Sequence, residues 1–203
     1  IWLLFLVVSY AAAVPLSEQA DPSGGLIGWY DPRERGGRLI DYTIDDLGEP
    51  LNVIISGLSD PHILTDKGFQ DYTKNAWGST MGIATTPDLG DGDMQKIELI
   101  LARQHYFPVW GTCWESLAGG HHFRAWRQNG THANSGAWFI GKNHKIVPNG
   151  WNLGRDWFVE SAVAGTHYRN HCGRTDLLEE GSDGINHGIA QDGRVAVLTV
   201  KRL

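Results

Sequence analysis

The sequence predicts an α+β fold, a two-layer domain with a mostly antiparallel sheet and two main helices on one face. Three observations predict it. Short runs of β-branched and aromatic residues, typical of strands, recur along the chain. Two other segments carry apolar residues at helical spacing. Turn-forming residues separate these predicted strands and helices from one another. No internal repeat of about 20–50 residues interrupts this order. We therefore expect a single domain over residues 50–203.

The first predicted elements are a strand and a helix that follow each other closely. Residues 51–55 (LNVII) form a short apolar run bounded by proline and glycine, which is typical of a buried strand. The sequence Ser59-Asp60-Pro61 resembles a helix start, because a capping oxygen precedes a proline in the first turn. Apolar residues near helical spacing extend this helix to about Trp77.

The middle and the end of the chain predict further strands and a second helix. Residues 95–103 alternate between apolar and charged side chains, which favours a strand. A hairpin is predicted from residues 122–127 and 137–140, with turn-forming residues between them. The second helix would be capped by Asn152 and end near residue 164. An Asp-Gly turn then precedes a last strand over residues 195–200.

The N-terminus predicts that the protein is secreted. Residues 1–8 (IWLLFLVV) are uniformly apolar and are followed by the small residues Ala11 and Ala13, which matches a signal peptide over residues 1–13. Residues 14–49 are rich in Gly, Pro and charge, and we expect an extended arm with little core. The alternative is an uncleaved anchor, although an uncharged stretch of about 16 residues is shorter than the roughly 20 that span a membrane. No basic region or Met precedes this stretch, so upstream residues are expected; only a retained segment would bring the chain to a membrane.

Charge and motif content exclude several functional classes. The 17 lysines and arginines against 23 acidic residues give a formal net charge of −6, so we expect no nucleic-acid partner. The chain lacks a G-x-S-x-G nucleophile elbow, a G-x-G-x-x-G run and a P-loop. His167 and His171 have the spacing of a zinc-binding pair, but Tyr168 stands where the catalytic glutamate would be. We therefore expect neither a metal site nor a cofactor.

Two further features belong to a secreted protein. Cys113 and Cys172 are the only cysteines, and an oxidising route favours a disulfide between them, with two buried thiols as the alternative. Such a bond would close a loop of about 60 residues and stabilise the fold by about 4 kcal/mol on the chain-entropy account. Asn129 begins an Asn-Gly-Thr sequence, which predicts N-glycosylation.

One arginine and two tryptophans form the most suggestive local cluster in the predicted hairpin. Arg124 and Trp126 lie on one predicted strand, and Trp138 lies across from them. Such a guanidinium among indole rings forms either a structural cation–π brace or a surface that faces an anion or a sugar. His121 and His122 are adjacent and would point to opposite faces of a strand.

The same region resembles the C-terminal domain of LssY-type proteins. The resemblance is carried by residues 120–126 (GHHFRAW), residues 137–141 (AWFIG), the His144-x-Ile146-x-Pro148 run, and Arg155-Asp156 at a helix start. It spans roughly residues 50–164, and residues 111–117 together with HFRxWRQNG are similar to a secreted fungal branch of small proteins. The HHIDPD run of the bacterial domain becomes His144-Lys145 here, and its two acidic positions become Val147 and Asn149.

Two functions follow as hypotheses. The first is a secreted binding module for a glycan or a lipid head group, using Arg124, Trp126 and Trp138. The second is a phosphoester-type hydrolase. The resemblance implies it, because in bacteria the LssY-type domain often follows membrane-embedded phosphatase-like or DedA-like segments. In this hydrolase His122 would act as acid or base and Arg124 as an anion clamp, provided that His144 and Asp156 converge on them. The loss of the acidic positions favours the binding module.

Overall fold

The structure is a computed structural model that describes residues 28–31, 40–44, 47–77, 80–85, 98–103, 121–129, 134–144, 148–165, 167–176 and 180–203. The strands within these ranges are β1 (Ile40–Ile44), β2 (Leu47–Pro50), β3 (Val53–Ile55), β4 (Thr80–Thr85), β5 (Glu98–Arg103), β6 (His121–Asn129), β7 (Asn134–His144), β8 (Tyr168–Asp176) and β9 (Arg194–Arg202). The helices are α1 (Asp66–Trp77) and α2 (Gly150–Ala164), with a short 3₁₀ turn at Asn186–Gly188.

Seven of these strands form one sheet in the order β4-β5-β6-β7-β3-β9-β8. Neighbouring strands are antiparallel except β3 and β9, which run parallel. β1 and β2 form a separate antiparallel pair. The predicted α+β class with a mostly antiparallel sheet is therefore confirmed.

Both helices pack on the same face of the sheet, which we call the helix face. Phe69 and Tyr72 of α1 and Phe158 and Ala162 of α2 are buried in one cluster with side chains from the strands. The strand residues of this cluster are Val53, Ile55, Ile100, Phe123, Ala125, Trp138, Ile140, Tyr168, Ala196, Leu198 and Val200. The predicted placement of two helices on one face is confirmed.

The opposite face, which we call the arm face, has its own apolar cluster. It contains Leu51, Ile54, Trp126, Ala137, Phe139 and Val195. Trp29, from the region predicted to be an arm, packs against this cluster. Hence Trp29 contributes to the core and residues 40–44 and 47–50 pair as strands, whereas most of the predicted arm lies outside the described residues.

The two helices start at other residues than the sequence predicted. α1 begins at Asp66 because Thr65 is its cap, with Thr65 Oγ1 accepting a hydrogen bond from the Gly68 N–H at 3.0 Å. Asp60 instead closes a local turn, since its Oδ1 accepts from the His62 N–H at 2.9 Å. α2 begins at Gly150, and Asn152 Oδ1 does not cap it but accepts from the Asp192 N–H at 3.2 Å.

The two strands of the hairpin are longer than the sequence predicted. The first extends to Asn129 and the second begins at Asn134, so their connection is shorter than expected. Of the strand predicted over residues 95–103, residues 98–103 form β5 and residues 95–97 lie outside the described residues. β8 was not predicted, because its exposed polar residues interrupt the apolar pattern that marks a strand. The last strand does follow an Asp-Gly turn, in which Gly193 has φ +74°.

Gly68 lets α1 pack closely against the turn before it, and we expect Gly68→Ala to destabilise the protein. An added Cβ would collide with the backbone oxygen of His62, which cannot move without shifting the turn. Overpacking costs up to about 3 kcal/mol and alanine favours a helix by about 1 kcal/mol, so we expect a net loss of about 1–2 kcal/mol in the free energy of unfolding. Urea denaturation measures it, with Gly173→Ala as the control because no atom lies within 4 Å of a Cβ there. Equal stabilities of the two variants would contradict the packing argument.

Candidate functional site

Alternate residues of the His122–Trp126 run share the arm face of the hairpin. The register pairs position 122 with Asn143, Arg124 with Gly141, and Trp126 with Phe139. Because successive residues of a strand alternate between faces, a run with a period of two places all three positions on one side. The same period of two can be read from the sequence of this run.

An ion pair lies at the centre of this row. Arg124 Nε is 3.2 Å from Glu49 Oε2, and the two side chains are 21% and 3% exposed. Glu49 reaches this position because β2 crosses over Gly141, where an added Cβ would lie 3.2 Å from the Pro50 oxygen and 3.5 Å from Glu49 Cβ. The glycine of the AWFIG run thus permits the close approach, and Glu49 is a site residue that the sequence analysis did not find.

Asn143 lies on the same face, diagonally across from Arg124 in the hairpin register, and we call Glu49, Arg124 and Asn143 the Arg124 cluster. Asn143 is buried on the arm face, and its Oδ1 has no hydrogen-bond partner among the described residues. A buried acceptor without a partner costs about 1–3 kcal/mol, so such a group indicates a bound molecule or water that satisfies it. The cluster combines a carboxylate, a guanidinium and an amide, and so offers acceptors and donors together.

His144 does not join this cluster. It pairs with position 121 in the hairpin, and position 122 pairs with Asn143, so positions 122 and 144 fall on opposite faces. The register therefore does not support the convergence of His122 and His144 that the hydrolase hypothesis requires. The sequence could not exclude it, because the register of the hairpin was unknown.

Lys142 is a buried lysine on the helix face that the sequence analysis did not single out. Its side chain is almost inaccessible, and burial lowers the pKa of its ammonium group well below the usual value. Asn52 fixes the backbone beside it, donating from Nδ2 to the Lys142 oxygen at 2.7 Å and to the Trp151 oxygen at 3.0 Å. The strand is thereby tied to the start of α2.

Asp156 belongs to a structural clamp and not to the Arg124 cluster. Arg155 is buried, and its Nε donates to Asp156 Oδ1 at 2.9 Å. Its two terminal nitrogens bind the Asp192 carboxylate at 2.5 and 3.0 Å, and Nη1 also donates to the Arg194 oxygen at 2.9 Å. Arg155 thus fastens α2 to the start of β9, and Asp156 is committed to that arginine.

The pKa of Asp192 reflects this clamp. Burial alone would raise the pKa of this carboxyl, but the hydrogen bonds from Arg155 and the Arg194 backbone outweigh it and lower the pKa. For Arg155, burial alone would lower the pKa, and the hydrogen bonds to Asp192 and Asp156 raise it. Both groups remain charged at neutral pH, which suits a structural ion pair.

Neither predicted ligand-binding tryptophan is on the surface. Trp126 and Trp138 are each 1% exposed, and they lie in the two different apolar clusters. The prediction that these rings contact a ligand is therefore wrong. The alternative of a cation–π brace applies to Trp138, but the cation is Arg127, whose guanidinium carbon lies 4.5 Å from the ring centre.

Two other tryptophans lie on α2 in contrasting environments. Trp157 is 44% exposed, whereas Trp151 is fully buried. Trp151 packs with Ile185 and Ile189, which follow β8 in the chain. The shift of the start of α2 from Asn152 to Gly150 places Trp151 in the first turn, where it meets that loop.

Several predictions fall partly outside the described residues. Cys113 lies outside them, and Cys172 is half-buried on β8, so the disulfide remains a prediction. Asn129 is exposed at the end of β6, whereas the rest of its glycosylation sequence is not described. His167 and His171 are exposed and lie before and within a strand, not on the helix that a zinc-binding pair requires.

Within the described ranges there is no candidate metal site and no candidate membrane-spanning helix. No group of three or more His, Cys, Asp and Glu residues there could hold a metal ion. None of the helices in that part of the chain has the length and apolar character needed to cross a membrane.

No protein-family model matches this chain, and neither does any curated protein or any solved structure. The resemblance to the LssY-type domain therefore stays a prediction that rests on the residues named above.

Proposed function

We propose that the chain is a binding module for an uncharged, hydroxylated ligand of the glycan type, with the Arg124 cluster as its contact point. The observation that carries the proposal is the pairing of Arg124 with Glu49, at 3.2 Å, in a position where Arg124 is still 21% exposed. Trp126 and Trp138 have no part in the contact, because both are buried.

The charges of the cluster favour hydroxyl groups over a phosphate. Glu49 neutralises Arg124 and would repel an anionic head group, which weakens the case for a lipid ligand. A hydroxyl group both donates and accepts, so it can bind a carboxylate, a guanidinium and an amide at once. The buried Oδ1 of Asn143 supplies an acceptor that such a ligand would satisfy.

The test compares Arg124→Gln with Arg127→Gln in binding to chitin and cellulose oligosaccharides by calorimetry. Arg127 is the matched control, since its side chain is 26% exposed on the same strand but it packs on the helix face. Losing a charged hydrogen bond costs about 1.5–3 kcal/mol, so Arg124→Gln should weaken binding about ten- to hundredfold. Arg127→Gln should leave the affinity unchanged.

Two outcomes would count against the glycan ligand. If Arg124→Gln and Arg127→Gln lost the same affinity, the cause would be a general loss of protein stability and not a contact with the ligand. Binding only to phosphatidylcholine vesicles that contain phosphatidic acid, and to none of the sugars, would replace the glycan with an anionic head group.

A hydrolase that uses neither His144 nor Asp156 is the second candidate function, because position 122 and Arg124 share a face beside the carboxylate of Glu49. In this proposal His122 is the acid or base and Arg124 binds the phosphoryl oxygens, as the LssY-type resemblance implies. The check is hydrolysis of p-nitrophenyl phosphate by the wild type, His122→Ala and His144→Ala. Activity that His122→Ala abolishes and His144→Ala retains would favour it; no activity in the wild type would remove it.

The proposed place of action is outside the cell. The apolar start over residues 1–8, the Cys113–Cys172 pair and the exposed Asn129 support it. N-terminal sequencing of the protein from culture medium should give a start near Val14, and non-reducing peptide mapping should recover the two cysteines in one fragment. An intact apolar start in the membrane fraction would favour the anchored alternative.

A further inference from the structure

Three basic side chains lie together on β8 and β9, and we call them the basic patch, which consists of Arg169, His171 and Lys201. The two strands pair so that Arg169 is directly opposite Lys201, and His171 follows two positions along β8. All three residues are exposed. The residues next to them in the strands, Tyr168 and Val200, are buried in the cluster on the helix face. Because successive side chains alternate between faces, the basic patch lies on the arm face.

The positive charge of the basic patch is not neutralised by the residues around it that the structure describes. The two stretches that form this part of the sheet, residues 167–173 and 197–203, contain no Asp or Glu. Asp60 lies on the loop beside β9, but its Oδ1 accepts a hydrogen bond from the backbone N–H two residues later at 2.9 Å. Within the described residues, neither Arg169 nor Lys201 forms an ion pair. Hence a local positive charge stands on a chain whose net charge is −6.

Stability alone does not explain why Arg169 faces Lys201. Like charges directly opposite each other on neighbouring strands repel and destabilise a sheet. A charged side chain on an edge strand prevents pairing with another sheet, which accounts for Arg169 on β8. It does not account for Lys201, because β9 is an inner strand between β3 and β8. An anionic partner that contacts both side chains would replace this repulsion with attraction.

Leu58 adds an exposed apolar side chain at the border of the basic patch. Lys201 Nζ donates to the Leu58 oxygen at 3.5 Å, and Leu58 is 37% exposed in the turn that follows β3. Its side chain lies near Gly28, where an added Cβ would be 3.5 Å from Leu58 Cγ, and the next residue, Trp29, packs on the arm face. Basic side chains beside an exposed apolar one are typical of proteins that bind the surface of an anionic membrane. A sulfated polysaccharide offers negative charge but no apolar layer for Leu58.

We propose that the basic patch binds the surface of a membrane that contains anionic phospholipids. Arg169 and Lys201 face the anionic head groups in this contact, and Leu58 enters the interface. Two adjacent strands present these side chains in one plane, which fits a membrane surface better than a single small anion. The contact needs no membrane-spanning segment. It is separate from the Arg124 cluster, because β3 lies between β7 and β9, and it does not depend on the proposed function.

The test measures flotation of the full chain with phosphatidylcholine vesicles that contain or lack phosphatidylserine. Each lysine or arginine near an anionic membrane strengthens binding about fivefold, so Arg169→Gln/Lys201→Gln should weaken binding to the phosphatidylserine vesicles about 25-fold. Lys67→Gln/Lys74→Gln is the matched control, since it removes the same charge from exposed positions on α1, which packs on the helix face. Residues 1–8 are apolar and present in every variant, and vesicles of phosphatidylcholine alone measure their contribution.

A further variant and a soluble polyanion separate a membrane from other anionic partners. Leu58→Ser should weaken binding to the phosphatidylserine vesicles several-fold and leave binding to heparin unchanged. Equal losses in the basic-patch variant and the α1 control would overturn the proposal, because net charge alone would then explain the binding. Binding to heparin and not to the vesicles would also overturn it, and would assign the basic patch to a sulfated polysaccharide. Vesicle binding that Arg124→Gln abolishes and the basic-patch variant retains would overturn it in favour of the Arg124 cluster.

Discussion

Replacing Trp138 by alanine is expected to lower the free energy of unfolding by about 3–5 kcal/mol. The indole stacks on Phe69 with ring centres 4.3 Å apart, and its Nε1 donates to the Ile63 oxygen at 3.1 Å. It also carries Arg127 on its face, and Arg127 forms an ion pair with Asp66 at the start of α1. The substitution therefore leaves a cavity and also loosens the first helix.

Trp157→Ala is the matched control for this prediction. The same side chain is removed, but from a position on α2 that is 44% exposed. We expect a change within about 1 kcal/mol, since truncating an exposed side chain creates no closed cavity. Urea denaturation followed by circular dichroism measures both variants. If both variants lost a similar free energy of unfolding, the burial of Trp138 would not explain its contribution to stability.

Arg155→Met is expected to cost about 2–3 kcal/mol near neutral pH. Removing one partner of a buried ion pair costs about 3–5 kcal/mol, and the 31% exposure of the Asp192 side chain reduces that figure. Methionine keeps most of the side-chain volume, so the loss would come from the unpaired carboxylate and the freed Arg194 oxygen. Arg169→Met, at an exposed position on β8, is the control and should change stability little.

The effect of Arg155→Met should depend on pH in a defined direction. The pKa of Asp192 is lowered in the folded protein, so its stabilising contribution is complete above its unfolded pKa of about 3.9. This contribution is lost as the pH falls through the lowered pKa of the folded protein, because the Asp192 carboxyl is then protonated in the folded and in the unfolded protein. The difference in stability between wild type and Arg155→Met should therefore shrink below about pH 4. A difference that stays constant between neutral and acidic pH would show that Asp192 does not mediate it.

The hairpin shows how far residue patterns predict a site. The period of two in the His122–Trp126 run determines which positions share a face, and the structure places Arg124 and Trp126 together on that face. The pattern contains no information about what covers the face. Glu49 lies 75 positions before Arg124 in the numbering, and only the path of β2 over Gly141 brings the two together.

The second helix shows the same division. Its existence and approximate end follow from apolar spacing, which is a local property of residues 150–164. Its start does not, because Asn152 accepts a hydrogen bond from the distant Asp192 N–H in preference to capping the helix. The Arg155 clamp on Asp192 was invisible for the same reason, since its partners are 37 to 39 residues away.

The sequence alone determined the α+β class, the predicted strand at β3 and the β6–β7 hairpin, since these depend on local periodicity and turn residues. Tertiary structure decided the rest. It buried Trp126 and Trp138, separated His144 from position 122, and paired Arg124 with Glu49. Each of these depends on strand register or on contacts between distant segments, and a one-residue change of register would reverse which side chains face one another.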